Sequence, residues 1–541
     1  MSDLRRHFKN TVLIGGLTFF SRILGLVRDV AFAAIFADSM VADAFFFAWR
    51  VPNLFRRLFG EGALSSALIP VFTEYLELKS RRAAWKLAWV VATATLGVLL
   101  ACLLLGEAFI VLLPRVAPLS ERWRLTFLLT GLLLPYMVFI CLTALAGAIL
   151  NSLKHFFSPA AAPVLLNLCW IVALVLVAPH VATTMRGKIF VVVGGILVAG
   201  VCQLILQVFA LVRKGFPLRP AFNLQHPGLR RVVVTMAPIV AGMAAFQLNV
   251  LFDGVIAIGL AAPEGVETFT VFGATVAYPL EIGANSVLAY ASRLMQFPLG
   301  VFGIALATAI FPALSARAAR EEWEGFSDTV THGLGAVLVV GIPAGAGLII
   351  LGGPVVELLF EHGRFGNEAT VRTVSALIAY AVGIWAYCAL HILNRAFYGV
   401  QDPHTPVKIA VGAVVVNLAL NLTLIWFLGA AGLALSTAIS AALQVSLLTF
   451  LLHRGVAPLD MGHLVKVLAK TLLATLFMAA VCYIALRFLP AAPVRDKMLI
   501  KTIRVLVPIA AGTLAYFFLS LSLGISETRF LLHIIWRRFR R

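Results

Sequence analysis

Apolar runs of about twenty residues recur along the whole 541-residue chain. That is the length an α-helix needs to cross the roughly 30 Å hydrocarbon core of a bilayer. Inside lipid, only helices and closed barrels satisfy their own backbone hydrogen bonds. A barrel would read as shorter segments of alternating polarity, so the pattern predicts a polytopic, all-α membrane protein. Charged residues make up only 12% of the chain, about half the usual soluble fraction, which excludes a soluble multidomain enzyme and a disordered chain alike. About fourteen spans are expected, near 11–36, 44–75, 86–112, 123–151, 159–178, 189–212, 232–260, 283–314, 330–352, 369–398, 406–428, 430–452, 465–488 and 500–523. The apolar segment 261–282 could add a partial or re-entrant span.

The net charge is +19. No aromatic-interleaved basic stripe points to nucleic acid, so the excess is read as topology-setting loops and contacts with lipid heads. Lys79, Arg81, Arg82, Arg213, Lys214, Arg219 and the tail Arg537, Arg538, Arg540 and Arg541 share the side of the N-terminus, which predicts that both termini are cytoplasmic. Arg115, Arg122 and Arg124 run against that rule. The six cysteines sit singly in apolar runs without a CxxC, which favours small apolar packing over disulfides or metal ligation.

Two patterns repeat at one spacing. Ala63-Leu64-x-x-Ala67-x-x-Pro70 returns as Ala305-Leu306-x-x-Ala309-x-x-Pro312, an offset of 242. Leu150-Asn151 precedes Pro163-Val164 as Leu393-Asn394 precedes Pro406-Val407, an offset of 243. An offset of six spans keeps both copies in one orientation, the parallel-repeat plan of many secondary transporters. The predicted organisation is an N-terminal lobe over 1–231, a C-terminal lobe over 232–457 and a helix pair over 458–541.

Charges inside spans are concentrated rather than scattered. The first span carries Arg22, Arg28 and Asp29, the second Asp43, Arg50, Asn53, Arg56, Arg57 and Glu61, and the eighth Arg293. An Arg at mid-bilayer costs about 2.5–3.5 kcal/mol even on the lenient insertion scale, so these side chains must face water or a partner. Arg22 and Arg28 are offset by about 120° on a helix, while Arg50, Arg57 and Glu61 share a face if the helix is regular. The bland reading is snorkelling or helix glue through Asp29, Asp43 and Glu61. The alternative is a cavity for an anionic head group, since guanidinium forks suit phosphate and carboxylate. A second polar group, Asp253, Asn417, Asn421 and Thr437, offers oxygen donors that suit a hard cation such as Na⁺ or a plain helix contact. No P-loop, HExxH or Ser/His/Asp arrangement occurs, so the chain is not expected to be an enzyme.

The segments Ser21-Arg22-Ile23-Leu24-Gly25-Leu26-Val27-Arg28-Asp29, Asp43-Ala44-Phe45-Phe46-Phe47, Pro52-Asn53-Leu54-Phe55-Arg56-Arg57, Glu61-Gly62-Ala63, Arg293 to Val301 and Thr405-Pro406-Val407-Lys408 resemble the MurJ (MviN) family of lipid II flippases. That family lies within the multidrug, oligosaccharidyl-lipid and polysaccharide exporter superfamily. The resemblance runs nearly end to end. It implies two six-helix lobes plus a C-terminal pair that forms a groove for the polyprenyl tail. It implies a cationic cavity for the pyrophosphate-linked disaccharide pentapeptide, lined by Arg22, Arg28, Arg56 and Arg293, with Asp43 also important. Some relatives bind Na⁺ at positions matching Asp253, Asn417, Asn421 and Thr437, where Asn421 stands as an amide. Exporters of other lipid-linked oligosaccharides, drug/cation antiporters and a non-transporting membrane scaffold are the competing expectations.

Overall fold

The structure, a computed structural model, describes residues 2–116, 118–217, 220–263, 265–271, 274–490 and 498–529; side chains at 2–12, 60–63, 238, 241–242, 245–246 and 271 lie outside the description. Helices dominate, as the apolar runs require. They are α1 (Ser2–Phe36), α2 (40–79), α3 (Arg81–Val116), α4 (Glu121–Ser152), α5 (Phe157–Val181), α6 (Met185–Arg213), α7 (Pro227–Gly259), α8 (Ala284–Ala319), α9 (Trp323–Leu359), α10 (367–399), α11 (His404–Leu428), α12 (Ala430–Gly455), α13 (Met461–Phe488) and α14 (Met498–Ser522). Among the described residues, ten are long and apolar enough to cross a membrane: α3 to α6, α8, α9 and α11 to α14. The two halves of α10, Asn367–Val382 and Ile384–Gly399, pass the same test together across a 42° bend. The candidate site's charges lie mainly on α1 and α2, outside that group.

The chain forms two compact units, Met1–Gly259 and Leu260–Arg541. In the first, Leu68 and Phe72 of α2 pack with Trp85, Leu87 and Val91 of α3, Ile149 and Leu150 of α4, and Leu211 of α6. Buried glutamines tie α6 to α5: Gln203 Nε2 donates to the Ala162 carbonyl (2.6 Å) and Gln207 Nε2 to that of Ser158 (2.8 Å). α7 packs on α2. Arg122, which ran against the charge rule, is buried and donates to the Ile258 carbonyl at the end of α7 (2.9 Å), where a cation complements the helix dipole. Its position serves packing rather than topology.

In the second unit α13 and α14 pack on each other and on α9 through Val339, Val467, Ala474, Met478, Cys482 and Tyr516. The Tyr516 hydroxyl donates to the Val339 carbonyl (2.6 Å). At one end of α9, Lys501 and Arg504 of α14 pair with Glu361 (3.6 Å) and Glu357 (3.5 Å).

The segment 261–282 is not a helical span. Thr268–Val271 (β1) and Ala274–Ala277 (β2) form an antiparallel hairpin, pairing Thr268 with Ala277 and Thr270 with Thr275. Its β-branched Thr and Val favour strand over helix. Phe269 packs at a tilt against Tyr278 (4.6 Å between centroids) and lies parallel to Trp426 of α11 (6.5 Å), and Arg372 donates to the Ile282 carbonyl (2.7 Å). The cysteines are free, with Cys141, Cys388 and Cys482 buried, as their apolar settings suggested.

The repeated motifs occupy matching places. Pro70 and Pro312 each lie in an α-helical stretch that follows a π-helical segment, Arg56–Ala63 in α2 and Leu299–Gly303 in α8. Pro163 and Pro406 each fall in the opening turns of a helix. In the second copy Asp402 caps α11, its Oδ1 accepting from the His404 and Thr405 N–H groups (3.0 and 3.1 Å) and its Oδ2 from the Thr405 hydroxyl (2.6 Å). Burial alone would raise this carboxyl, but the bonds from Thr405 and His404 hold it below its ordinary range. A depressed value means the cap stabilises fully above the ordinary carboxylate range and fades as the pH falls through it. Asp402→Ala is expected to cost about 1 kcal/mol, read as a lower melting temperature at neutral pH, with the gap from wild type closing in acid.

Candidate functional site

In the first unit the best-defined cation is Arg28. The run 21–29 places it on the buried side of α1, where it is 7% exposed, while Arg22 is exposed. Arg28 Nε and Nη2 donate to Asp29 Oδ1 (2.9 and 2.7 Å), Nη1 donates to Asn167 Oδ1 of α5 (2.9 Å), and the guanidinium lies 4.4 Å from the centre of the Trp170 ring. Asn167 is oriented in turn by donating to the Ser21 carbonyl (2.9 Å). A guanidinium has five N–H groups. Three are committed here, which leaves two and a rigid, pre-oriented fork.

Beneath Arg28 lies an aromatic floor. The run Phe45-Phe46-Phe47 and Trp49 of α2 bring Phe45 and Trp49 to 5.4 and 5.1 Å from Trp170, with Phe32 of α1 5.0 Å from Phe45. Asp43 is fully buried in the first turn of α2, after the N-cap Ser39, whose hydroxyl accepts from the Ala42 N–H (3.3 Å). The positive end of the helix dipole stabilises a carboxylate there.

Further along α2 the regular helix ends at Arg56, where Asn53 Oδ1 accepts from Arg56 Nε (2.7 Å). From Arg56 to Ala63 the backbone takes up π winding. Each such turn absorbs an extra residue, so the common face expected for Arg50, Arg57 and Glu61 on a regular helix does not carry through. Arg50 turns to α7, donating to the Val250 carbonyl (3.4 Å) and filling the space over Gly254, where a Cβ would strike its Nη1. Arg57 is half-buried, and the Glu61 side chain lies outside the described residues. So do the tail residues Arg537, Arg538, Arg540 and Arg541, together with Arg219.

In the second unit Arg293 is exposed on α8, six residues before the π segment Leu299–Gly303. Asn417 and Asn421 are buried on α11 and bonded to each other, Asn421 Nδ2 donating to Asn417 Oδ1 (2.9 Å). The Thr437 hydroxyl donates to the Leu433 carbonyl of its own helix (3.0 Å). These three side chains are neutral, and one amide oxygen, Asn417 Oδ1, already accepts; of the other buried amide atoms Asn417 Nδ2 is a donor and Asn421 Oδ1 an acceptor. As arranged the two amides form a hydrogen-bonded contact along α11. Asp253 is a half-buried residue of α7, in the other unit.

Asn167 and Trp170 were not anticipated from the sequence; the available signal was a lone amide in an otherwise apolar span. The π segments were missed as well. Arg56 opens one of them and Arg293 lies six residues before the other, and both hold glycines, Gly60 and Gly62 in one and Gly300 and Gly303 in the other. Such windings frequently mark functional positions.

The family model described as "Lipid II flippase MurJ" matches residues 32–500. A probable lipid II flippase MurJ of Vibrio cholerae serotype O1 is 35% identical over 474 residues, 85% of each chain. A lipid II flippase MurJ of Burkholderia cenocepacia is 33% identical over 82% of this chain and 83% of its own. Among solved structures, a lipid II flippase MurJ in an inward closed conformation superposes with a TM-score of 0.73 at 25% identity, covering 98% of this chain and all of that one. An inward-facing multidrug resistance MATE family transporter shares the fold, with a TM-score of 0.65 at 14% identity over 81% of this chain and 96% of that one. A match of this extent, over a fold of this kind, places the chain in the lipid II flippase MurJ family.

Proposed function

We propose that this chain carries lipid II from the inner to the outer leaflet of a bacterial cytoplasmic membrane by alternating access, with both termini cytoplasmic. It acts as a transporter and not as an enzyme. The task sets the chemistry. A sugar-peptide head group would lose dozens of hydrogen bonds in hydrocarbon, whereas its polyprenyl tail can remain in lipid, here along α13 and α14. The head group therefore needs a polar, cationic path. In this proposal Arg22, Arg28, Arg56 and Arg293 bind the pyrophosphate-bearing head group. Asn53 and Asn167 hold two of these guanidiniums in place, and Asp43 supports the same region. The reading rests most on Arg28, a guanidinium buried on α1, fixed by an amide and an indole, with two N–H groups to spare. A charge moved through the membrane potential is worth about 2.3 kcal/mol per 100 mV, enough for the potential to reset an unloaded cationic site.

The test is the purified chain in proteoliposomes with labelled lipid II. Protein-dependent transfer between leaflets is expected. Transfer of other polyprenyl-linked sugars at the same rate would favour a broader exporter, proton- or sodium-coupled drug efflux an antiporter, and no transfer of any lipid a scaffold.

A further inference from the structure

Away from the basic helices, at one end of the second unit, three side chains from distant parts of the chain converge on a point. His332 lies near the start of α9, His463 in the first turn of α13, and Glu527 just past the end of α14. Glu527 Oε1 is 3.0 Å from His332 Nδ1 and 2.7 Å from His463 Nε2, and the three donor atoms all lie within 4.8 Å of one another. The two rings are 5.0 Å apart and inclined by 69°. The other carboxylate oxygen accepts from the Ser526 hydroxyl (2.9 Å). Gly335, one turn along α9 from His332, gives the carboxylate room: a Cβ there would sit 3.0 Å from Oε1.

Burial and access are divided between the ligands. The Glu527 side chain is 2% exposed, whereas that of His332 is 60% exposed and opens the cluster to water. Burial alone would raise the Glu527 carboxyl, but hydrogen bonds from His463 and His332 outweigh it and keep the group below its usual range, hence anionic. The cluster thus presents a buried carboxylate and two imidazole nitrogens to one solvent-reachable point.

We propose that His332, His463 and Glu527 form a binding site for a divalent metal of the zinc class, which pins the start of α13 and the chain after α14 to α9. Two imidazoles, one carboxylate and a water are a common tetrahedral set for that ion, and the absence of thiolate among the three disfavours softer metals. Metal–ligand bonds of about 2.0–2.2 Å place tetrahedral donor atoms roughly 3.3–3.5 Å apart, so small side-chain rotations from the observed spacing suffice. The ion would close a tie at this end of α9. The Glu357 and Glu361 pairs with Arg504 and Lys501 already tie the other end, about 37 Å away along the helix.

The experiment uses the full chain in detergent, stripped with a chelator and titrated with Zn²⁺ by calorimetry, with melting followed in parallel. One equivalent should bind and raise the melting temperature. His332→Asn and His463→Asn should melt like the stripped wild type, bind Zn²⁺ at least tenfold more weakly and lose the metal-dependent rise. Co²⁺ should give the absorption of a tetrahedral nitrogen and oxygen site in the wild type alone. No saturable Zn²⁺ binding by the wild type, or unchanged binding by the double variant, would overturn the site and leave a hydrogen-bonded clamp. Glu527→Gln, which keeps the side-chain shape, provides the same reading should either histidine variant fold poorly.

Discussion

Arg28→Ala is expected to abolish lipid II transport and to prevent the gene from supporting growth of a strain lacking its own flippase. The side chain occupies a buried position that it shares with Asp29 and Asn167, so its loss has two consequences. The Asp29 carboxylate, only 17% exposed, loses this guanidinium, and removing one member of a buried pair costs about 3–5 kcal/mol. The fork proposed to hold the pyrophosphate is lost as well. The two effects separate in the double variant Arg28→Ala with Asp29→Asn. Neutralising Asp29 should return most of the melting temperature without returning transport. Arg28→Lys tests the fork itself. An ammonium keeps the charge but cannot hold Asp29 and Asn167 in one plane over Trp170, so transport should fall at least tenfold while the protein remains folded. Wild-type transport by the lysine variant would mean that charge alone is required at this position.

Gly383→Leu is expected to remove most of the folded protein. This glycine stands at the bend of α10, and its backbone angles are ordinary (φ −89°), so the requirement is space rather than conformation. A Cβ would lie 2.7 Å from the Ala438 Cβ, 2.9 Å from the Ala438 Cα and 2.9 Å from the Tyr387 ring. One of those neighbours is backbone of α12, which cannot swing aside. In the same region a Cβ at Gly345 of α9 would lie 2.6 Å from the Ala381 carbonyl oxygen, so α9, α10 and α12 meet through missing side chains. Close approach through small residues is how membrane helices gain packing energy where lipid is as apolar as leucine. Overpacking typically costs about 1–3 kcal/mol, and collision with backbone belongs at the upper end or beyond. Gly353→Leu is the control, since nothing lies within 4 Å of a Cβ there, and should leave yield and melting temperature unchanged. The readout is the monodisperse fraction by size-exclusion chromatography and the melting temperature. Equal behaviour of Gly383→Leu and Gly353→Leu would contradict the packing described.

Much of this was legible before any coordinates. Apolar run length alone predicted the helical class, because backbone groups in lipid leave few alternatives. The basic residues of α1 and α2 stood out because charge in a span is costly. The motif offset between Pro70 and Pro312 pointed to two copies, and the π segments that precede those prolines recur with it. What escaped was non-local or depended on backbone detail. Nothing near Arg28 in the sequence names Asn167, 139 residues away. A wheel drawn through Arg50, Arg57 and Glu61 assumes regular winding, which the glycine-rich π segment breaks. The segment 261–282 looked apolar enough for lipid, yet its β-branched residues pair as a hairpin. Sequence symmetry starts a second copy near α7, while packing joins α7 to the first unit, because Arg50 and Arg122 reach its carbonyls. The histidines of the proposed metal site match no ligand spacing, being far apart in sequence and close only through the fold.

The proposed function centres on the guanidiniums of Arg22, Arg28, Arg56 and Arg293 binding the pyrophosphate of lipid II. Its most direct test is equilibrium binding of lipid II to the wild type and to Arg22→Ala, Arg28→Ala, Arg56→Ala and Arg293→Ala, in parallel with a polyprenyl ligand that carries a single phosphate. Each variant should bind lipid II at least tenfold more weakly, as expected for the loss of a charge-assisted hydrogen bond worth about 1.5–3 kcal/mol, with a smaller loss for the monophosphate. Wild-type affinity for lipid II in the Arg293→Ala variant, or equal losses for both ligands across the series, would contradict a shared pyrophosphate site.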